Sequence, residues 1–209
     1  LEIFPDNGYI LVGTTGTTSY GTPGNDIYLI RTDKAGNEMW SRTFGGSDRE
    51  DGLAVQPTSD GGFIIAGLTQ SYLSQPQTGI YETHDFYIVK TDSEGNEAWS
   101  KSFGSRYIDF PADIREIDGG DYVFLGNIGD GLLEGDEVRA DIYLAKLDST
   151  GNEIWSQRYG GDKTDYAYGL DITEDGGYVI VGTTYSYGTN ADIYVVKTDA
   201  DGKTTPWEK

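Results

Sequence analysis

One succession of residues occurs four times in this chain of 209 residues. In its clearest copy, Asp60 to Phe103, it runs DGGFIIAGLTQ, a polar loop, DFYIVKTD and SEGNEAWSKSF. The other copies are DNGYILVGTT with DIYLIRTD and KAGNEMW, DGGDYVFLGN with DIYLAKLD and STGNEIW, and DGGYVIVGTT with DIYVVKTD and ADGKTTPW. A further apolar segment precedes the later copies: GLAVQPT, ADIREI and YGLDIT. Trp40, Trp99, Trp155 and Trp207 mark the period, roughly 50 to 60 residues, which restricts the chain to a solenoid, a propeller or an array.

Each unit reads as four strands. In the second unit strand A is Gly52–Thr58, B is Gly62–Thr69, C is Asp85–Asp92 and D is Glu97–Phe103. Ser59-Asp60-Gly61 is a tight A–B hairpin, and Asp92 to Asn96 is a type I turn ending in a left-handed Gly. Both join neighbours, so the strands are antiparallel in chain order. No window holds a sustained 3.6-residue apolar period, so almost no helix is expected. Strands B and C are apolar on both faces: Phe63, Ile64 and Ile65 are consecutive, as are Phe86 to Val89. A half-exposed sheet alternates instead.

Antiparallel sheets buried on both faces and repeated along the chain are what a β-propeller requires. The fold expected is all-β, a β-propeller of four blades of four antiparallel strands, at about 1–47, 48–106, 107–162 and 163–209 of a single domain. Its alternative is a fragment of a larger propeller of roughly six to eight blades, or a ring completed by a second copy. Closure avoids leaving two large apolar faces in water, which favours the four-bladed ring.

Composition narrows the function. A formal charge of −20 opposes nucleic acid and anionic membranes, and suits cations, basic partners or plain solubility. No cysteine is present, so disulfides, thiolate zinc sites and thiol catalysis are excluded. No run approaches the roughly 18 apolar residues of a membrane span, so no membrane insertion is expected.

GGSDREDGLAVQPTSDGGFIIAGLT followed by DFYIVKTDSEGNEAWSKSFG resembles the SBBP-type β-propeller repeats of secreted and cell-surface proteins of bacteria and archaea. The resemblance spans nearly the whole chain. It implies a propeller and an extracellular or surface setting, and it carries no catalytic residues. The third unit departs from the pattern, with Gly126-Asn127 for Gly-Thr, Leu147 for Thr and an extra Asp121. In the fourth, Lys203 to Pro206 replaces the Gly-Asn turn, so its last strand is expected to start late.

Several residue sets bear on chemistry. Asp33, Asp92, Asp148 and Asp199 imitate calcium-loop fragments, yet lack the six or so oxygen ligands such a loop needs, and read as caps of their own turns. Asp26, Asp85, Asp141 and Asp192 open strand C, and read as caps or as partners for Arg31, Lys90, Lys146 and Lys197. Those cations sit in an apolar strand and need a carboxylate or the strand D Trp. Asp51, Asp109 and Asp165 open strand A, and form a weak candidate cation site where they converge on a channel mouth. Calcium is the one cofactor considered, and none is required. His84, the single histidine, reads as a surface residue. No G-x-S-x-G elbow occurs.

Alternating strand direction places the A–B and C–D turns on one face, short and nearly invariant. The B–C and D–A loops share the other, and they differ in every unit. Variable loops on a rigid repeat are where binding specificity resides. Tyr20, Tyr72, Tyr81, His84, Glu134, Asp136, Tyr185 and Tyr187 lie there, and exposed tyrosines suit glycans or protein surfaces. The function expected is a non-enzymatic extracellular or cell-surface module binding protein or glycan through that face, as a monomer or ring-completing homo-oligomer. A carbohydrate-active lyase or glycosidase on the same face, or a structural spacer, are the alternatives.

Overall fold

The computed structural model describes residues 1–3, 8–16, 24–74, 83–132 and 138–204. Among them the protein is all-β, with no helix. Fifteen strands form four antiparallel sheets, each built from consecutive strands.

The first sheet contains β1 (Glu2–Ile3), β2 (Tyr9–Thr14), β3 (Ile27–Thr32) and β4 (Glu38–Phe44). The second contains β5 (Glu50–Pro57), β6 (Phe63–Thr69), β7 (Asp85–Thr91) and β8 (Glu97–Phe103). The third contains β9 (Phe110–Glu116), β10 (Tyr122–Leu132), β11 (Val138–Leu147) and β12 (Glu153–Tyr159). The fourth has three strands, β13 (Asp165–Ile172), β14 (Tyr178–Thr184) and β15 (Asp192–Thr198). Its expected strand D lies mostly outside the described residues, although Thr204 bridges back to Thr198.

The turns follow from their residues. In the C–D hairpins Asp33, Asp92 and Asp148 each accept bonds from the backbone two and four residues on, and from the Asn side chain at the fourth. Asp199 does the same with Asp201 and Lys203. These carboxylates cap their turns. The Asn96 donors hold Asp92 below the usual carboxylate range, and the Asn152 backbone and Thr150 hydroxyl hold Asp148 at about 2.

Sheets stack in chain order, and each contact is a dry core. Ile27, Leu29 and Val12 of the first sheet meet Phe63, Ile65, Tyr87 and Val89 of the second. Ile64, Phe86 and Ile88 meet Ile114, Phe124 and Tyr143 of the third. Leu125, Ile142 and Leu144 meet Leu170, Ile180 and Val196 of the fourth. No core cluster among the described residues joins the fourth sheet to the first.

The strand C cations find partners other than those expected. Lys90 Nζ lies 2.7 Å from Asp60, Lys146 Nζ 3.2 Å from Asp121 and Lys197 Nζ 2.9 Å from Asp175. Each acid belongs to the A–B hairpin, not to the start of strand C. The reason is geometric: the cation sits at the C-terminal end of strand C, beside the A–B turn, whereas Asp85 opens that strand at the other end. Burial opposes ionisation of Asp60, but the bonds from Lys90, Thr58 and Gly62 win and hold it at about 2. Arg31 instead donates to the carbonyls of Tyr9 and Thr32.

Candidate functional site

The B–C and D–A loops are stitched together across sheet boundaries. Glu50 N donates to Asn25 O at 2.7 Å, and Asp109 N donates to His84 O at 2.9 Å. Within a unit, Gln70 N donates to Arg49 O at 2.8 Å and Tyr185 N to Thr164 O at 3.1 Å. Backbone bonds therefore tie the loops of the first three sheets together, and the Asn127 side chain, bonded to Ala167 N and O, links the third sheet to the fourth.

The acids that open strand A lock the network. Glu50 accepts from Gly46 N and from Thr69 Oγ1, Asp109 from Ser105 N and Gly129 N, and Asp165 from Gly161 N and Ser186 Oγ. The repeated set is thus Glu50, Asp109 and Asp165, which corrects the expected Asp51, Asp109 and Asp165. Asp51 stands opposite Leu68, one position further along, where Phe110 and Tyr166 stand in the next sheets. A slip of one residue moves a side chain to the other face of a strand. Each inner strand also contains a bulge, whose extra residue is Leu53, Ala112 or Tyr168. Asp51 instead accepts from Thr14 Oγ1 at 2.9 Å and is bonded by Arg49.

Nor do the three acids converge on one point. Each faces the strand C acid of the preceding sheet across a glycine: Asp26 and Glu50 at Gly45, Asp85 and Asp109 at Gly104, Asp141 and Asp165 at Gly160. A Cβ on Gly160 would lie 2.7 Å from both Asp141 Oδ1 and Asp165 Oδ2, so only glycine fits. Oδ1 of Asp85, Asp141 and Asp165 is buried without a hydrogen-bond partner. Burial pushes Asp109 up to about 7, with the Asp85 charge adding to it, and pushes Asp141 up to about 6. Asp85 and Asp26 are raised for the same first reason. No group of three or more His, Cys, Asp or Glu is placed to hold a metal among the described residues.

His84 is buried, not on the surface as expected. Its bridge to Ile108 puts the ring inside the face, 6.2 Å from Phe110, with Nε2 3.2 Å from Gln70 Nε2. Tyr72 and Tyr187 are equivalent. Each donates its hydroxyl to the first glycine of the D–A loop, Gly45 or Gly160, and each ring lies about 5.5 Å from the strand C tyrosine, Tyr87 or Tyr194. Tyr185 is 42% exposed and projects from the same loop as Tyr187, which is 57% exposed. Tyr20, Tyr81, Glu134 and Asp136 lie outside the described residues.

Two hollows open near these loops. One, of about 370 Å³, is lined by Thr14, Asn25, Arg49, Asp51, Leu53 and Phe110 where the first and second sheets meet. The other, of about 290 Å³, lies on the second sheet beside Tyr72 and Tyr87, with Glu97 and Lys101 on its rim. Sequence reasoning missed both. It singled out neither Arg49 nor Phe110, and the bulge that turns Leu53 outward has no signature in the sequence. A third hollow, of about 460 Å³, lies on the opposite face between the third and fourth sheets, beside Glu116, Lys146 and Tyr178.

No protein-family model matches the chain. Among curated proteins it is similar to the regulatory protein FlaEY of Caulobacter vibrioides, at 25% identity over 174 residues. The match takes in 76% of this chain and 18% of that protein, so the chain corresponds to less than a fifth of its relative's length.

Proposed function

We propose that the chain is a β-propeller-type scaffold and a non-enzymatic binding module, taking a protein or glycan through its B–C/D–A loop face. One contrast carries this reading. On the turn face every repeated acid among the described residues is consumed by its own hairpin or by a strand C cation. On the loop face Tyr72, Tyr185 and Tyr187 leave 42%, 42% and 57% of their surface exposed, on loops whose sequences differ from unit to unit. The Tyr72–Tyr87 hollow, rimmed by Glu97 and Lys101, pairs aromatic area with hydrogen-bonding charge, as a sugar ring or peptide needs.

The paired carboxyls do not favour the glycosidase alternative. Asp85, Asp109 and Asp165 are almost wholly buried and already accept bonds from the loops, so a substrate has no route to them. An extracellular or cell-surface setting accords with the SBBP resemblance.

Glycan and protein arrays probed with the chain test the reading. Tyr72→Ala and Tyr185→Ala are expected to weaken the captured ligand at least about tenfold while leaving the fold intact. Unchanged binding by both variants would remove the loop face from consideration.

A further inference from the structure

The beginning of strand A is where the units part chemically. Arg49 and Asp51 flank the repeated acid Glu50 in the second sheet, and the same two positions are Ile108 and Phe110 in the third and Thr164 and Tyr166 in the fourth. The residue before the strand C acid varies with them, as Asn25, His84 and Ala140 in the first three sheets. Two other units build their sheets without such a pair, so folding does not require it. Arg49 bonds to Asp51, whose other oxygen accepts from Thr14 Oγ1 at 2.9 Å, and both residues are almost wholly buried. A buried ion pair carries a large desolvation cost, and packed apolar side chains in its place are often as stable or more so. The pair therefore calls for a reason other than stability.

Both members of the pair line the hollow of about 370 Å³ between the first and second sheets. That volume is near the low end of small-ligand pockets, roughly 300 to 1,000 Å³, and suits one compact ring rather than a chain. The lining divides by chemistry. Thr14, Asn25, Arg49 and Asp51 supply hydrogen-bond donors and acceptors, while Leu53 and Phe110, both half-exposed, supply apolar area. Leu53 is there because it is the extra residue of its bulge, a device that re-aims a side chain. A pyranose presents the same division, with hydroxyls around its edge and C–H groups on its faces. A carboxylate accepts from the hydroxyls, a guanidinium and an amide donate to their oxygens, and an aromatic ring covers a C–H face. Arg49 already has a carboxylate partner and the chain carries −20, so an acidic sugar is repelled.

We propose that this hollow is a subsite for one neutral pyranose ring, with Asp51, Arg49 and Asn25 bonding its hydroxyls and Phe110 and Leu53 against its apolar face. The inference rests on the loop-face reading, narrows the ligand to a glycan and moves its anchor from the tyrosines to the junction of the first two sheets. A single ring of about twelve heavy atoms binds at about millimolar strength, so the subsite sets which sugar is accepted, and the surrounding loops add affinity for a longer glycan.

Ligand-observed NMR with glucose, galactose, mannose and glucuronic acid tests the subsite. At least one neutral hexose is expected to bind, and glucuronic acid at least about tenfold more weakly. Arg49→Ile combined with Asp51→Phe writes the third sheet's own residues into the second, so the chain should still fold, and hexose binding should fall at least about tenfold. Phe110→Ala, at a half-exposed position, should weaken it by a similar factor and serves if the double variant does not fold. Hexose binding that survives both variants and falls only with Tyr72→Ala would overturn the subsite while leaving the loop face standing. Tighter binding of glucuronic acid would overturn the neutral ligand. No binding by any of these sugars would overturn the inference outright, and a protein captured on the arrays and lost with Tyr72→Ala would then keep the loop-face reading alone.

Discussion

The second and fourth sheets are written in nearly the same letters, DFYIVKT beside DIYVVKT, and they are buried very differently. Every residue of β6 and β7 is buried, whereas β15 alternates between exposed and covered positions. Phe86 is 0% exposed and its counterpart Ile193 is 83% exposed. The difference is not in the strands, whose registers match, but in what lies on either side. An apolar strand in a repeat states what its face can pack against. Its neighbour decides whether that happens.

Pairs of equivalent substitutions put this contrast to measurement. Phe86→Ala opens a cavity between two sheets and should cost about 3 to 5 kcal/mol by denaturant melting, while Ile193→Ala should stay within about 0.5 kcal/mol for the single chain. Equal losses would mean that the fourth sheet is covered in solution.

The paired acids provide the next test. Asp109 is at about 7 in the folded chain and near 3.8 when free, so the folded state holds its proton more tightly. That contribution is fully present below about pH 4 and is lost as the pH rises through 7, amounting to about 4 kcal/mol. Thermal melting should thus show higher stability at pH 5 than at pH 8. Asp109→Asn should flatten the slope. An unchanged slope in Asp109→Asn would assign the effect to overall charge.

Gly67→Ala forces a methyl into Ile27 and the Asp51 carbonyl, at about 1 to 3 kcal/mol, whereas Gly13→Ala meets open space and should be nearly neutral. The smallest contrast lies in the cations. The Lys90 side chain is 6% exposed and that of Lys197 is 22%, so Lys90→Ala should cost about 1 to 2 kcal/mol and Lys197→Ala less than about 1. Reversal of that order would show that the Asp60 bond is not retained in solution.

Strands B, C and D and both hairpins were legible because local chemistry dictates them: Gly at left-handed positions, Asp capping its own turn, β-branched and aromatic runs between. The beginning of strand A was not. A bulge adds a residue without changing composition, so Asp51 read as the repeated acid where Glu50 holds the position. The Lys90–Asp60 pair joins residues 30 apart, and only the pairing of strands brings them together. His84 looked exposed because polar neighbours surround it in sequence, yet the bridge to Ile108 draws it inward. The loop face was legible as variable, while its carboxyl pairs needed two sheets in contact to become visible.

Trp40 covers Gly95 of the next sheet, Trp99 covers Gly151 and Trp155 covers Gly202, a Trp-on-glycine latch that bears on how such chains arise. Each unit brings a tryptophan for its successor and a bare glycine for its predecessor, so it is complete as a genetic cassette. Unequal crossing-over that adds or deletes one unit leaves every remaining junction chemically correct. Length can therefore drift by whole units under recombination, and selection need only adjust the loops.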